Sequence, residues 1–387
     1  MSYLWKGMCL IAKTPGTLLV FNQFFYWAAI FLFAYAIATR TWCRLLIIAV
    51  IGLWPPLYII SLHLWADVGM MCALAFAVAC LAANCRDKKK YWLFMTIGAL
   101  FLAAAFRHNG ITGVVPLLAY TAWRLTGHVA HRQSSAVKLF GALIVAYFLG
   151  LRILNIGTQH VPVVNMTLVW DLTAISVTEN RDVLPVYLEK TPGPDFVGRL
   201  RDHWSPDANY VGFSEVSPFF APDKEKIFLK YWGTTVLHNF GPYMAHRVHV
   251  FRSLLGLTHR VNFAYHEGID EPNPYKITFT FPNLMQHIML PLFHKISKWP
   301  VYRVWLYVVL SFFLIYQYFR DRYISCDSDC WRLLPAVTVI SGILIELPLF
   351  IVAPSTEFRY SIWMIFSVVM AAAMIISQHH KASDSVE

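Results

Sequence analysis

The sequence predicts an all-α polytopic membrane protein with about nine transmembrane helices and one large extracytoplasmic block, itself mixed or mainly helical. The composition points to this class, because 57% of the 387 residues are hydrophobic and only 14% are charged. A soluble globular protein has about 25% charged residues, so most of this chain is too apolar for water. The spacing of the apolar runs agrees, since short polar loops separate them except at 157–300.

Each apolar run is close to the ~20 residues that a helix needs to cross a bilayer core. The run at 111–125 is the weakest, because it contains a glycine and a proline. The runs divide the chain into a membrane bundle of about six spans at 1–156, an extracytoplasmic block at 157–300 and a bundle of about three spans at 301–387. The nine runs are 17–38, 45–62, 68–84, 91–106, 111–125, 138–156, 301–319, 333–353 and 360–377.

The distribution of Lys and Arg predicts the face on which each loop lies. Basic residues are concentrated in alternate loops, whereas the intervening short loops contain only Arg107 and Arg359. Because basic loops stay in the cytoplasm, 84–90 and 320–332 are predicted to be cytoplasmic and 157–300 to be outside. The same asymmetry accounts for the net charge of +10, which therefore does not indicate a nucleic-acid partner.

The most unusual polar stretch is Arg107-His108-Asn109, which separates two minimal apolar runs. Neither run is long enough to leave it far out in water, so it should lie at the lipid–water boundary or just inside it. An arginine at full depth is unfavourable by ~2.5–3.5 kcal/mol unless it has a partner. Arg107 therefore either extends its guanidinium to the interface, or holds a phosphate while His108 and Asn109 supply hydrogen bonds.

Two further polar groups are predicted on the same face as Arg107. Asp67 begins the third apolar run, where it is either a favourable acid at a helix start or an acid that orients or activates an acceptor hydroxyl. Glu357, Arg359 and Tyr360 precede the last run. They form either a local ion pair beside an interfacial aromatic residue or a second phosphate-facing arginine held by its glutamate.

The extracytoplasmic block is too long for a plain loop, so it is predicted to fold on the membrane surface. Trp170 and Asp171 are predicted to open one helix of the block, and His246, Arg247 and His249 lie on the polar face of another. These residues, apart from His249, are candidates for substrate binding. The histidine pair at i, i+3 leaves a divalent-metal site open, but a metal needs more ligands, and a solvated helix face is favoured. No metal or other cofactor is assigned.

The motifs at the span ends form a combined pattern. They are Leu4-Trp5, Thr14-Pro15-Gly16, Asn22-Gln23, Asp67, Arg107-His108-Asn109-Gly110 and Ala353-Pro354-Ser355-Thr356-Glu357-Phe358-Arg359-Tyr360. Together they resemble the polytopic glycosyltransferases of the GT-C fold that use lipid-linked sugars, a superfamily that includes the protein O-mannosyltransferases and the lipid A aminoarabinose transferase. The resemblance covers nearly the whole chain in layout.

The resemblance implies an enzyme that passes a sugar from a polyprenyl phosphate to a lipid, glycan or protein acceptor at the outer face of a bacterial cell membrane. It implies that Asp67 is a catalytic acidic position and that Arg107 and Arg359 lie near the donor phosphate. Cations there would stabilise the charge of the departing prenyl phosphate. A carboxylate within hydrogen-bond reach would take the proton of the acceptor hydroxyl.

Two alternatives stay open. A transporter or flippase of lipid-linked glycans would use the same cationic cavity without chemistry, although transporters tend to have internal repeats and broken helices in matching positions. The second alternative is a fragment or an inactive relative of the same superfamily, which folds but does not catalyse. The family carries a further acidic residue, usually regarded as its catalytic base, in a first outer loop that precedes a stretch like 4–16. The sequence has no such acidic residue before 4–16, and the charge asymmetry also places Met1 outside. We therefore expect another membrane helix and an outer loop upstream of Met1; the alternative is that the short tail itself crosses the membrane and Asp67 serves as the base.

Overall fold

Helices form the regular structure of the described residues, and the one β feature among them is an isolated bridge between Glu189 and Val216. The computed structural model describes residues 2–107, 109–127, 131–157, 163–191, 193, 195–210, 214–217, 222–258, 264–265, 268, 273, 275–278, 284–320 and 329–383. This agrees with the predicted all-α class. No strand is present in these ranges.

Each predicted apolar run overlaps a helix or a pair of helices of the structure. The helices are α1 Ser2–Met8, α2 Gly16–Ile37, α3 Thr41–Gly52, α4 Pro55–Ser61, α5 Ala66–Asp87, α6 Tyr91–Phe106, α7 Gly110–Leu125, α8 Arg132–Leu154, α9 Val163–Glu179, α10 Phe196–His203, α11 Pro222–His238, α12 Phe240–Leu254, α13 Leu284–Ile296, α14 Val304–Arg320, α15 Asp329–Glu346, α16 Leu349–Val352 and α17 Ile362–Ser383.

Five helical stretches within the described ranges are long and apolar enough to cross a membrane. Their mean hydropathy ranges from 1.6 to 2.1, and they are Gly16–Ile37, Ala66–Asp87, Arg132–Leu154, Cys330–Val352 and Phe358–Gln378. A sixth candidate is the pair α3 and α4, which is bent by 67°. Helices α6 and α14 are apolar but shorter. These helices support a multi-pass α-helical membrane protein, and the count of nine spans stays a prediction.

The outer surface of the bundle is apolar. Only 11% of the apolar window in α8 is buried, and Val145, Phe148 and Leu149 are all more than half exposed. A helix of this kind would leave a large apolar surface in water, whereas a lipid environment covers it without cost. The exposed face of α8 therefore fits contact with acyl chains.

Helix α5 is the centre of the bundle, with 94% of its apolar window buried. It packs against α2 on one side and α6 on the other. Its sequence is rich in Ala and also contains three cysteines and Gly69, and small residues of this kind allow membrane helices to approach closely. At its C-terminal end, a disulfide joins Cys85 to Cys330 at the start of α15, with the two Cα atoms 5.8 Å apart.

The chain forms two compact units. The first contains Met1–Thr158, Ala264–Glu346 and Ser361–Glu387, and the second contains Gln159–Phe263 and Leu347–Tyr360. The second unit thus takes in a segment of the chain that lies within the predicted C-terminal bundle. We call Leu347–Tyr360 the inserted segment.

The core of the second unit lies around α9. Leu172 and Ile175 of α9 are fully buried with Leu200 of α10 and Phe228 of α11, and Phe196 at the start of α10 closes the cluster. Helix α12 packs along α9 and also contacts α16 of the inserted segment. The inserted segment is therefore part of this unit through side-chain packing.

Candidate functional site

In the first unit, Asp67 and Arg107 form an ion pair between the ends of α5 and α6. Asp67 lies in the first turn of α5 and only 2% of its side chain is exposed. Arg107 follows α6 in extended backbone, with 24% of its side chain exposed, and donates from Nη1 to the carboxylate. Asp67 and Arg107, which lie 40 residues apart in the sequence, are therefore in direct contact. Arg107 is the more exposed of the two side chains.

Two glycines allow this contact to form. A Cβ atom at Gly69 would collide with the ring of Phe106, and one at Gly110 would lie 2.8 Å from Sδ of Met70. Because both positions lack a side chain, the start of α5 can approach the turn between α6 and α7. We call the part of the bundle around this turn the Asp67 end.

Two asparagines at the Asp67 end have buried polar atoms without a hydrogen-bond partner among the described residues. They are Oδ1 of Asn109, which precedes α7, and both amide atoms of Asn22 on α2. Asn22 is 1% exposed, and the ring of its neighbour Phe21 lies 6.4 Å from that of Phe106. Buried polar groups are normally paired, so unpaired ones are unusual and mark a polar site inside an apolar bundle.

A third polar group at the Asp67 end, Glu346, was missed by the sequence analysis. It is the last residue of α15 and 2% exposed, and Ser361 donates a hydrogen bond of 2.9 Å to its Oε1. Nearby, Ser341 donates to the carbonyl oxygen of Gly113 at 2.6 Å, which fixes α15 against the start of α7. The available sequence signal was that Glu346 is the one charged residue in the apolar run 333–353.

The second unit brings together most of the other predicted residues in a buried cluster. Arg247 Nη2 lies 2.5 Å from Asp171 Oδ1, and neither side chain is exposed. Trp232 donates from Nε1 to the other carboxylate oxygen at 3.2 Å. The rings of Trp170 and His246 meet edge to face, with their centroids 4.5 Å apart. This cluster joins α9, α11 and α12.

Burial shifts both titratable groups of the cluster. It raises the pKa of Asp171 to about 6, and the hydrogen bonds and charge of Arg247, together with Trp232, limit the rise. It lowers the pKa of His246 to about 3, with the positive charge of Arg247 adding to the effect. At neutral pH the cluster therefore holds one carboxylate, one guanidinium and one neutral imidazole, and its net charge is zero.

Arg247 also holds the inserted segment. Its Nη1 donates to the carbonyl oxygen of Ala353 at 2.8 Å. Three residues later, the backbone N–H and the hydroxyl of Thr356 both donate to the carbonyl oxygen of Asp207, at 3.1 and 2.8 Å. Tyr360 packs in the same apolar cluster as Trp170. The inserted segment is thus fixed at its middle and at its end.

The predicted group at the end of the inserted segment forms a local network. Arg359 Nε lies 2.6 Å from Glu357 Oε2, and Arg359 Nη2 donates to the Tyr360 hydroxyl at 3.4 Å. Ser355 donates to the other oxygen of Glu357 at 3.0 Å. About a fifth of the Arg359 side chain is exposed.

The structure corrects two predictions in this unit. Trp170 and Asp171 lie in the middle of α9 and do not open a helix. His246 and Arg247 are buried and do not lie on a solvated face. Because these four candidates face protein groups, we interpret them as residues that hold the inserted segment, not as substrate contacts.

His108 lies outside the described residues. Within the described ranges, no three His, Cys, Asp or Glu side chains come together as ligands for a metal. Comparisons of the chain with models of protein families, with curated proteins and with solved structures found no match. The functional assignment therefore depends on the geometry of the two polar clusters and on the sequence motifs.

Proposed function

We propose that this chain is a membrane glycosyltransferase that transfers a sugar from a polyprenyl-phosphate donor to a lipid, glycan or protein acceptor. The observation that carries the proposal is the ion pair of Asp67 and Arg107 at the end of an apolar bundle. A reaction that splits a lipid phosphate from a sugar needs a cation and a carboxylate at the membrane boundary, and this pair supplies both.

The proposed chemistry follows from the exposure of the two side chains. Arg107, the more accessible partner, binds the phosphate of the donor through its planar guanidinium. The acceptor hydroxyl attacks the anomeric carbon while its proton passes to Asp67. The bond between the anomeric carbon and the phosphate oxygen breaks, and Arg107 stabilises the negative charge of the polyprenyl phosphate that leaves. In the free protein, Arg107 and Asp67 are partners for each other at the end of the apolar bundle.

In the second unit, Arg359 is the candidate for a further phosphate or acceptor contact. Glu357 fixes its guanidinium, and Arg247 fixes the backbone of the inserted segment that carries both. We propose that this unit is extracytoplasmic and that it chooses the acceptor. The Lys and Arg asymmetry supports this orientation. We also propose about nine spans and a bacterial cell membrane as the setting.

The proposal predicts different kinetic effects for the two members of the pair. The chain is reconstituted in lipid vesicles with a radiolabelled polyprenyl-phosphate sugar and an acceptor extract. Arg107→Ala should weaken donor binding by about one to two decades, as expected for ~1.5–3 kcal/mol from a charge-assisted contact. Arg107→Lys should recover part of this, since an ammonium is not bidentate.

Asp67→Asn should instead lower the turnover of bound donor while donor binding stays equal or tightens, because Arg107 no longer has a competing carboxylate. A turnover defect of about 100-fold or more is the size expected for loss of a general base. If both variants retain wild-type transfer, the pair is structural and the proposed site is wrong. If Arg107→Ala and Asp67→Asn both unfold the protein, Asp67→Glu is measured instead, because it retains the carboxylate. Sugar transfer by Asp67→Glu supports the proposed site, and a folded Asp67→Glu variant without transfer contradicts it.

One observation favours a second candidate function, the transport of lipid-linked glycans. Helices α3 and α4 form a pair bent by 67° at a short break, and broken spans are typical of transporters. A flippase would move the labelled donor across the vesicle membrane without releasing polyprenyl phosphate. Release of the lipid phosphate together with a glycosylated acceptor distinguishes transfer from transport in the same experiment.

A further inference from the structure

Glu346 is a carboxyl group inside the membrane bundle that the proposed sugar transfer does not use. It lies in the candidate span Cys330–Val352, and its hydrogen-bond donor Ser361 lies in the candidate span Phe358–Gln378. The second oxygen, Oε2, is buried and has no hydrogen-bond partner in the described part of the chain. Among the described residues, Oε1 of Glu346 therefore accepts one hydrogen bond and Oε2 accepts no hydrogen bond.

No cation among the described residues pairs with this carboxyl. The helices that pack against α15 are α5, α7, α14 and α17. On α5, Asp67 is already paired with Arg107. The other described charged side chains of these helices and of α15 lie toward the opposite end of the bundle, and they are Arg86, Asp87, Arg124, Arg320 and Arg332. The tyrosines Tyr120 and Tyr307 donate to the backbone carbonyls of Cys330 and Val301.

An ionised carboxylate here is strongly unfavourable, because Glu346 is only 2% exposed and no described side chain supplies a countercharge. A proton removes the charge and gives the carboxyl a hydroxyl donor of its own. Ionisable groups inside membrane proteins are uncommon and are typical of proton and ion pathways. The geometry thus favours a neutral acid over a structural anion.

We propose that Glu346 is an exchangeable proton-binding site within the membrane bundle. Glu346 and Ser361 are the residues on either side of the inserted segment, so the site lies where the chain enters and leaves that segment. The proton site exists whether or not the chain transfers sugar.

Dicyclohexylcarbodiimide tests the site, because this apolar reagent forms an adduct with a protonated carboxyl group. The full-length protein in lipid vesicles is treated at a series of pH values, and the adducts are located by peptide mass spectrometry. Glu346 should be labelled, and labelling should fall about tenfold for each pH unit above its midpoint. Asp67, which is already paired with Arg107, is the internal control and should stay unlabelled. Glu346→Gln should lose the adduct.

Infrared difference spectroscopy provides the second measurement and does not depend on access of the reagent. Subtracting the spectrum of Glu346→Gln from that of the wild type should leave the carbonyl band of a protonated acid, and the band should shift in D₂O. Absence of this band at low and neutral pH overturns the proposal. Protection from the carbodiimide by Na⁺ at constant pH also overturns it, because the ligand is then a metal cation and not a proton.

Discussion

Replacement of His246 by Phe tests the buried cluster of the second unit. The imidazole is 6% exposed, meets the Trp170 ring edge to face and has no hydrogen-bond partner for either ring nitrogen in the described structure. Phe retains the aromatic ring and cannot take up a proton. At neutral pH, where the imidazole is neutral, we expect the variant and the wild type to have nearly the same stability.

Acid should separate the two proteins. The pKa of His246 is lowered from 6.5 to about 3, so the unfolded chain takes up its proton before the folded chain does. The stability that His246 contributes is therefore complete above pH 6.5 and is lost as the pH falls toward 3. Between pH 6.5 and 4.5, two pH units at ~1.4 kcal/mol each give a loss of about 3 kcal/mol in the wild type alone.

The carboxyl group of Asp171 has the opposite pH dependence. Because burial raises its pKa to about 6, its contribution is complete below its ordinary pKa and is lost as the pH rises through 6. Both proteins contain this carboxyl group, so its own burial contributes equally to each. Only the interaction across the 3.8 Å between Asp171 Oδ1 and His246 Nε2 is confined to the wild type. The measured quantity is therefore the difference in melting temperature between His246→Phe and the wild type, followed by tryptophan fluorescence from pH 7.5 to 4.5.

The variant should melt about 6 °C or more above the wild type at pH 4.5, and at the same temperature at pH 7.5. His238→Phe is the matched control, because its ring lies on the exposed side of α11. This control should follow the wild-type curve. If His246→Phe and the wild type keep a constant difference at every pH, the imidazole is not held neutral in a buried site, and the account of the cluster is wrong.

Three further predictions concern other parts of the chain. Arg247→Met should destabilise the second unit by about 3–5 kcal/mol, because it leaves the buried Asp171 carboxylate without its partner; an unchanged melting temperature would contradict this. A cysteine introduced at Ser214 should react with an impermeant maleimide added outside cells, and one at Lys89 should not; the reverse pattern would invert the topology. Cys85→Ser should abolish a cross-linked peptide pair containing Cys330 in a non-reducing digest of the purified protein, and recovery of only free thiols from the wild type would refute this pairing.

The apolar runs allowed most of the membrane helices to be predicted, because a helix inside a bilayer must satisfy its own backbone and needs a minimum length. The polar residues at their ends could also be selected, since arginine and aspartate are costly there. Contact between Asp67 and Arg107 could not be predicted. It depends on the close approach that Gly69 and Gly110 permit, and one sequence does not show which helices are neighbours.

The errors have a common physical origin. His246 and Arg247 follow one another on a helix with other polar residues, a pattern that is typical of a solvated face. They are buried because Asp171, on another helix, neutralises the guanidinium. Glu346 was overlooked because one carboxyl group in a long apolar run barely changes the mean hydropathy. Both cases require tertiary contacts, which local patterns do not contain.

Sugar transfer by this chain can be tested by mass spectrometry of surface glycans and lipids. Cells with the intact gene are compared with cells that lack it and with cells that carry Arg107→Ala. If the chain transfers a sugar, one sugar mass should disappear from a surface lipid, glycan or protein in both mutant strains. Accumulation of an intact lipid-linked glycan with no loss of a single sugar would contradict transfer and indicate a flippase.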